Sequence, residues 1–212
     1  AWDAWLVRSR GVRAENVLQL HDREARRELV LKAIDDATKL VRPGGTLWFV
    51  FIGHGAPSPD MKDGVLVGVD ADQSPLALYP RSIPRNELLA ALSRGKQGRT
   101  VVVLDACFSG QTNSGAPIAP GLQPMLPVAS SAVTASTVVL TAGTSTQFAG
   151  PLPGLDRPAF SYLALGALRG WADENGDGEI TGAEVAQYSR GVLRRVVRGR
   201  EQTPTSDGAS AA

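Results

Sequence analysis

From Asp22 to Leu40, apolar residues recur at helical spacing, with Leu29, Ile34, Ala37 and Leu40 in phase and Ala33 between them. That period predicts a helix with Asp22 as N-cap and Arg42-Pro43-Gly44-Gly45 as its stop. The pattern then changes. Thr46 to Ile52 reads TLWFVFI, an unbroken β-branched and aromatic run, which predicts a strand covered on both faces, as in a parallel sheet. TVVVLD at 100–105 and TVVLTA at 137–142 predict two more strands of this kind, and Val65–Val69 a shorter one. Helices are expected at about Arg85–Arg94, Phe160–Ala172 and Val185–Val197, while the first twenty residues read as a helix end running into a short strand. Strands separated by helices define an α/β fold with a mainly parallel sheet flanked by helices.

Composition narrows the picture. A chain of 212 residues holds one sizeable core. Twenty-two basic residues against 21 acidic leave a net charge of +1, which gives no electrostatic case for a nucleic-acid partner. The longest apolar stretch, Leu47 to Ile52, falls far short of the ~20 residues of a membrane span. A single cysteine rules out an intrachain disulfide. Residues 111–136 carry no charged side chain and read as a long surface loop, with no basic or acidic residue for self-cleavage. The expected domain covers residues 1–202, and 203–212 is expected to be a flexible tail. Arg190, Arg194, Arg195, Arg198 and Arg200 make the last helix basic, which suits its C-terminal dipole. Trp2, Trp5, Trp48 and Trp171 are scattered and expected to pack.

Two of the predicted strands end in chemically loaded turns. FIGHGAP places His54 between two glycines, and LDACFSG places Cys107 two residues after Asp105. Ligands in open α/β sheets collect beyond the carboxyl ends of strands. A thiol at its free pKa of ~8.5 is mostly protonated at neutral pH, so a nearby imidazole is needed to poise the nucleophile. The same imidazole can protonate a departing amine. Glycine-flanked turns let backbone N–H groups approach the oxyanion that follows thiolate attack on a carbonyl. AGTSTQF at 142–148 follows the next strand end and offers Ser145 and Thr146 as pocket walls.

These residues carry a family resemblance. FIGHG and DACFSG, in that order and about 50 residues apart, resemble the His-Gly and Asp-x-Cys-x-Ser-Gly motifs of the caspase-like cysteine peptidases, especially the metacaspases and bacterial caspase-family proteins. Gln202-Thr203-Pro204 is similar to the stretch near the end of many bacterial members. The resemblance implies a caspase-like three-layer sandwich and a cysteine endopeptidase with a His54–Cys107 dyad. It also implies oxyanion donors at Gly55 and Cys107. Asp105, two before the nucleophile, is implied to select Arg or Lys before the cut, in a protein or peptide substrate. Its alternative role is to cap the turn. The family's first strand, which lies at the heart of its sheet, has no counterpart in this chain, so an N-terminal fragment completing the sheet is an expected partner.

DENGDGEITGAE at 173–184 fits the twelve-position EF-hand pattern. Asp173, Asn175, Asp177, the Glu179 carbonyl, Thr181 and Glu184 fall at the ligand positions, and Gly178 permits the sharp turn. An oxygen-only set points to Ca2+ rather than zinc. Three functions therefore stand as expectations: a cysteine endopeptidase, calcium-dependent or not; a catalytically incomplete calcium-binding interaction domain; and a peptide ligase.

Overall fold

The computed structural model describes residues 1–72, 74–109, 134–144, 147–155 and 157–208. In chain order the helices are α1 (Trp2–Arg8), α2 (Arg27–Leu40), α3 (Pro75–Leu78), α4 (Arg85–Leu92), α5 (Ala159–Gly166) and α6 (Gly182–Val196). The strands are β1 (Thr46–Ile52), β2 (Gly55–Pro57), β3 (Gly64–Val67), β4 (Ser82–Pro84), β5 (Arg99–Asp105), β6 (Thr137–Thr141) and β7 (Thr205–Gly208). The central sheet runs β1-β5-β6-β7; β1, β5 and β6 are parallel, and β7 is antiparallel to β6.

Side chains alternate across the strands, and each face has its own helical layer. Leu47, Val102, Leu104 and Val139 pack with Ile34 of α2 and with Leu88, Leu89 and Leu92 of α4. Val101, Val103, Val138 and Leu140 pack on the other face with Phe160 and Ala164 of α5 and Val185 of α6. The result is a three-layer α/β sandwich. A smaller antiparallel sheet, β2-β3-β4, springs from the turn after β1.

The structure corrects several local expectations. Helix α2 starts at Arg27, and Asp22 instead opens a separate 3-10 turn (Asp22–Glu24). Its inward face is Val30, Leu31, Ile34 and Ala37, whereas Leu29 and Leu40 are exposed. No strand forms within the first twenty residues; α1 is followed by a 3-10 turn at Ala14–Asn16. The Val65–Val69 segment yields β3, which belongs to the small sheet. The expected tail is in part structural. Thr205–Gly208 covers the outer edge of β6, and the Thr141 and Thr205 hydroxyls are hydrogen-bonded at 2.6 Å. Helix α6 ends at Val196, so Arg198 and Arg200 lie beyond it. Trp2, Trp5 and Trp48 form one edge-to-face cluster with Arg10 over the rings of Trp5 and Trp48, whereas Trp171 is more than half exposed. Most of the 111–136 loop lies outside the described residues.

Candidate active site at the rim of the central sheet

The register of β1 against β5 aligns Ile52 with Asp105. Each chain then continues past the sheet, with Gly53 N–H donating to the Asp105 carbonyl at 3.1 Å. Two residues further along each strand stand His54 and Cys107, on adjacent loops at one rim. The turns are in contact. A Cβ on Gly55 would lie 2.9 Å from the Cys107 carbonyl oxygen and 3.0 Å from the Phe108 ring, so only glycine permits this approach. The Phe108 ring lies against both Gly55 and Gly64, joining the histidine turn, the β2–β3 hairpin and the cysteine turn. The His54 carbonyl accepts from Val67 N–H at 2.9 Å, which fixes its backbone, and its side chain is exposed.

The thiol faces elsewhere. Cys107 is 8% exposed, and Sγ accepts the Ala149 N–H at 2.8 Å while its S–H donates to the Ala149 carbonyl at 3.0 Å. Among the described residues no hydrogen bond joins Cys107 to His54. Burial pushes the thiol pKa up to about 11, against the opposing effect of the Ala149 hydrogen bond, so sulfur is protonated at neutral pH.

Asp105 is also buried, at 6% exposure. Its Oδ2 accepts the Ser161 N–H at 2.6 Å, at the start of α5. Desolvation raises its pKa to about 6 in spite of that bond. The carboxylate therefore serves as a helix N-terminal acceptor beneath the cysteine turn. The expected pocket residues Ser145 and Thr146 lie outside the described residues. The described contact of the thiol is Ala149, which the sequence did not single out. The backbone atoms of Ala149 make the contact, and a backbone contact leaves no side-chain signature.

The oxygen-rich turn at 173–184 has the folded-back backbone of its pattern. Asp173 accepts from Gly176 N–H (2.8 Å) and Gly178 N–H (3.0 Å), with Gly178 at φ 79°. Asp177 accepts from Glu179 N–H at 2.8 Å, and Asn175 accepts from Asp177 N–H at 2.9 Å. Glu184 forms a capping box with Thr181, whose N–H and hydroxyl its Oε2 accepts at 2.7 and 2.8 Å. The donor set suits a hard cation by chemistry, and among the described residues no three His, Cys, Asp or Glu side chains converge.

No family model matches the chain, and no curated protein does. Solved structures do. Protein GSU0716 from Geobacter sulfurreducens is similar with a TM-score of 0.58 and 20% identity, over 99% of this chain and 83% of that one. At that identity the likeness speaks for the α/β fold alone. No helix of the described residues is long and apolar enough to cross a membrane.

Proposed function

We propose that the protein is a cysteine endopeptidase of caspase-like type, with Cys107 as nucleophile, His54 as general base and acid, and preference for Arg or Lys before the cut. The observation that supports this reading is the shared rim: aligned parallel strands deliver the only cysteine and a glycine-flanked histidine to touching turns. Sulfur attacks the peptide carbonyl carbon, giving a tetrahedral oxyanion within reach of the Gly55 and Cys107 amides. His54 takes the thiol proton and passes it to the leaving amine. Water, activated by the same imidazole, then releases the acyl group and restores the thiol. Asp105 supplies a negative charge for the guanidinium or ammonium of the substrate. Calcium is proposed at Asp173, Asn175, Asp177, the Glu179 carbonyl, Thr181 and Glu184.

The doubly bonded thiol and the exposed His54, whose ring has no hydrogen-bond partner among the described residues, favour the second reading, a catalytically incomplete calcium-binding domain. A peptidyl-arginine chloromethyl ketone separates the two. Its alkylation of Cys107, followed by intact mass with and without calcium, is expected to outpace that of the peptidyl-aspartate analogue and to fall in His54→Ala. Equal capture of both probes, unchanged by His54→Ala, overturns the peptidase. Melting in the same samples tests calcium: a cation at a hundredfold excess over its Kd raises Tm by about 5–10 °C, and an unmoved melt removes it.

A further inference from the structure

The segment that covers Cys107 is held from outside by residues on the C-terminal side of α6. Gln202, only 5% exposed, donates to the Ala142 carbonyl at 3.0 Å and accepts from Gly150 N–H at 3.4 Å. Arg200 donates through Nη2 to the Pro151 carbonyl at 2.7 Å and stacks on the Phe148 ring, its guanidinium carbon 5.9 Å from the centroid. Gln147 closes the other side: its Oε1 accepts from Thr203 N–H at 2.8 Å, and its Nε2 donates to the Thr203 hydroxyl at 3.1 Å. Residues 147–151 are thus tied at both ends to 200–203, and Ala149, at the middle, grips the sulfur with both its backbone groups.

The segment is also held where it leads into α5, by Ala159 N–H donating to the Gly150 carbonyl at 3.2 Å and by a Pro151–Pro158 bridge, and Ala149 packs on the core beneath α5. Phe148 and Ala149 are only partly buried, and no helix or central-sheet strand includes them. The hydrogen bonds to Arg200, Gln202 and Thr203 are the side-chain ties that hold the segment from outside, over the thiol. Among the described residues no carboxylate pairs with Arg200, whose Nε is buried without a partner, so its guanidinium is committed to the strap by Pro151 and Phe148.

We propose that residues 147–151 are an inhibitory strap and that Arg200, Gln202 and Gln147 are its latch: the described arrangement is a resting form in which the strap sequesters Cys107, and release of the latch makes the thiol reactive. The latch rests on the peptidase reading only for its effect on turnover; its effect on the thiol stands apart from that reading.

The test is alkylation of the full chain by iodoacetamide, timed by intact mass at several pH values. Wild type is expected to label slowly, with a midpoint well above that of the urea-unfolded chain. Arg200→Ala removes two side-chain hydrogen bonds, to Pro151 and to Gln202, and Gln202→Ala removes three; each is expected to speed labelling by about 10-fold and to lower the midpoint. Gln202 is deeply buried, so if its variant does not fold, Arg200→Ala and Gln147→Ala decide the matter. Wild-type labelling as fast as in the unfolded chain overturns the proposal, as do folded Arg200→Ala and Gln147→Ala variants that label at the wild-type rate. An arginyl fluorogenic substrate is run in parallel. Faster labelling without turnover keeps the latch and removes the peptidase, whereas turnover with unchanged labelling does the reverse.

Discussion

Asp105 sits where the cost of burying a carboxyl group meets the need for an acceptor at the start of α5. Its pKa of about 6 lies above that of the unfolded chain, so the folded state binds the extra proton between the two values. Stability is therefore greatest at low pH with respect to this group and falls as pH rises from about 4 through 6, by on the order of 3 kcal/mol. Asp105→Asn keeps an oxygen for the Ser161 N–H but has no proton to release. Urea unfolding at pH 4 and pH 7 is expected to show a smaller loss of stability in the variant than in wild type. Equal losses in the two proteins would mean that Asp105 does not titrate in this window. Sequence left open whether Asp105 selects substrate or caps its own turn. The bond that the structure shows, to Ser161 N–H of α5, is neither of these and was not legible, because that helix lies over 50 residues further on and meets Asp105 only through the fold.

At the scale of elements, the histidine and cysteine turns are coupled through Phe108, which is 4% exposed and lies flat on two glycines. A Cβ on Gly64 collides with that ring, so Gly64→Ala is expected to destabilise by ~1–3 kcal/mol as an overpacked site. Phe108→Ala is expected to cost about 3–5 kcal/mol through the cavity it leaves. In the double variant the new methyl enters that cavity, so its loss of stability in urea is expected to fall short of the sum by at least about 1 kcal/mol. Additive losses would show that hairpin and cysteine turn are independent. Strands β1, β5 and β6 were legible because their long apolar runs need two covered faces, and so was the shared rim, because a histidine turn follows the first and a cysteine turn the second. The small sheet was less legible: three- and four-residue strands carry too little alternation to reveal their partners. Strand β7 was hidden for a different reason. TSDG has no strand composition, and it pairs because β6 presents a free backbone edge, not because its side chains favour the ladder.

For the molecule as a whole, the question is whether Cys107 is reached by opening the strap or only by unfolding the sandwich. The two faces of the sheet share β5 and β6, whose residues Val101–Leu104 and Val138–Leu140 are essentially all buried, so loss of either helical layer exposes the strands that support the other. Residues 147–151 belong to no helix and no central-sheet strand; apart from Ala149 on the core and the contacts of Gly150 and Pro151 with 158–159, they are joined by a handful of polar contacts to 200–203. Segments with few buried apolar contacts open at lower free energy than the core, and a small opening exposes little surface, which makes it insensitive to denaturant. Iodoacetamide labelling of Cys107 is accordingly expected to change little as urea rises through the native baseline, and to accelerate steeply only at the global transition. A labelling rate that climbs from the first increments of urea, with the slope of global unfolding, would mean that the thiol is sealed by the whole core. Strap and latch would then have no separate existence.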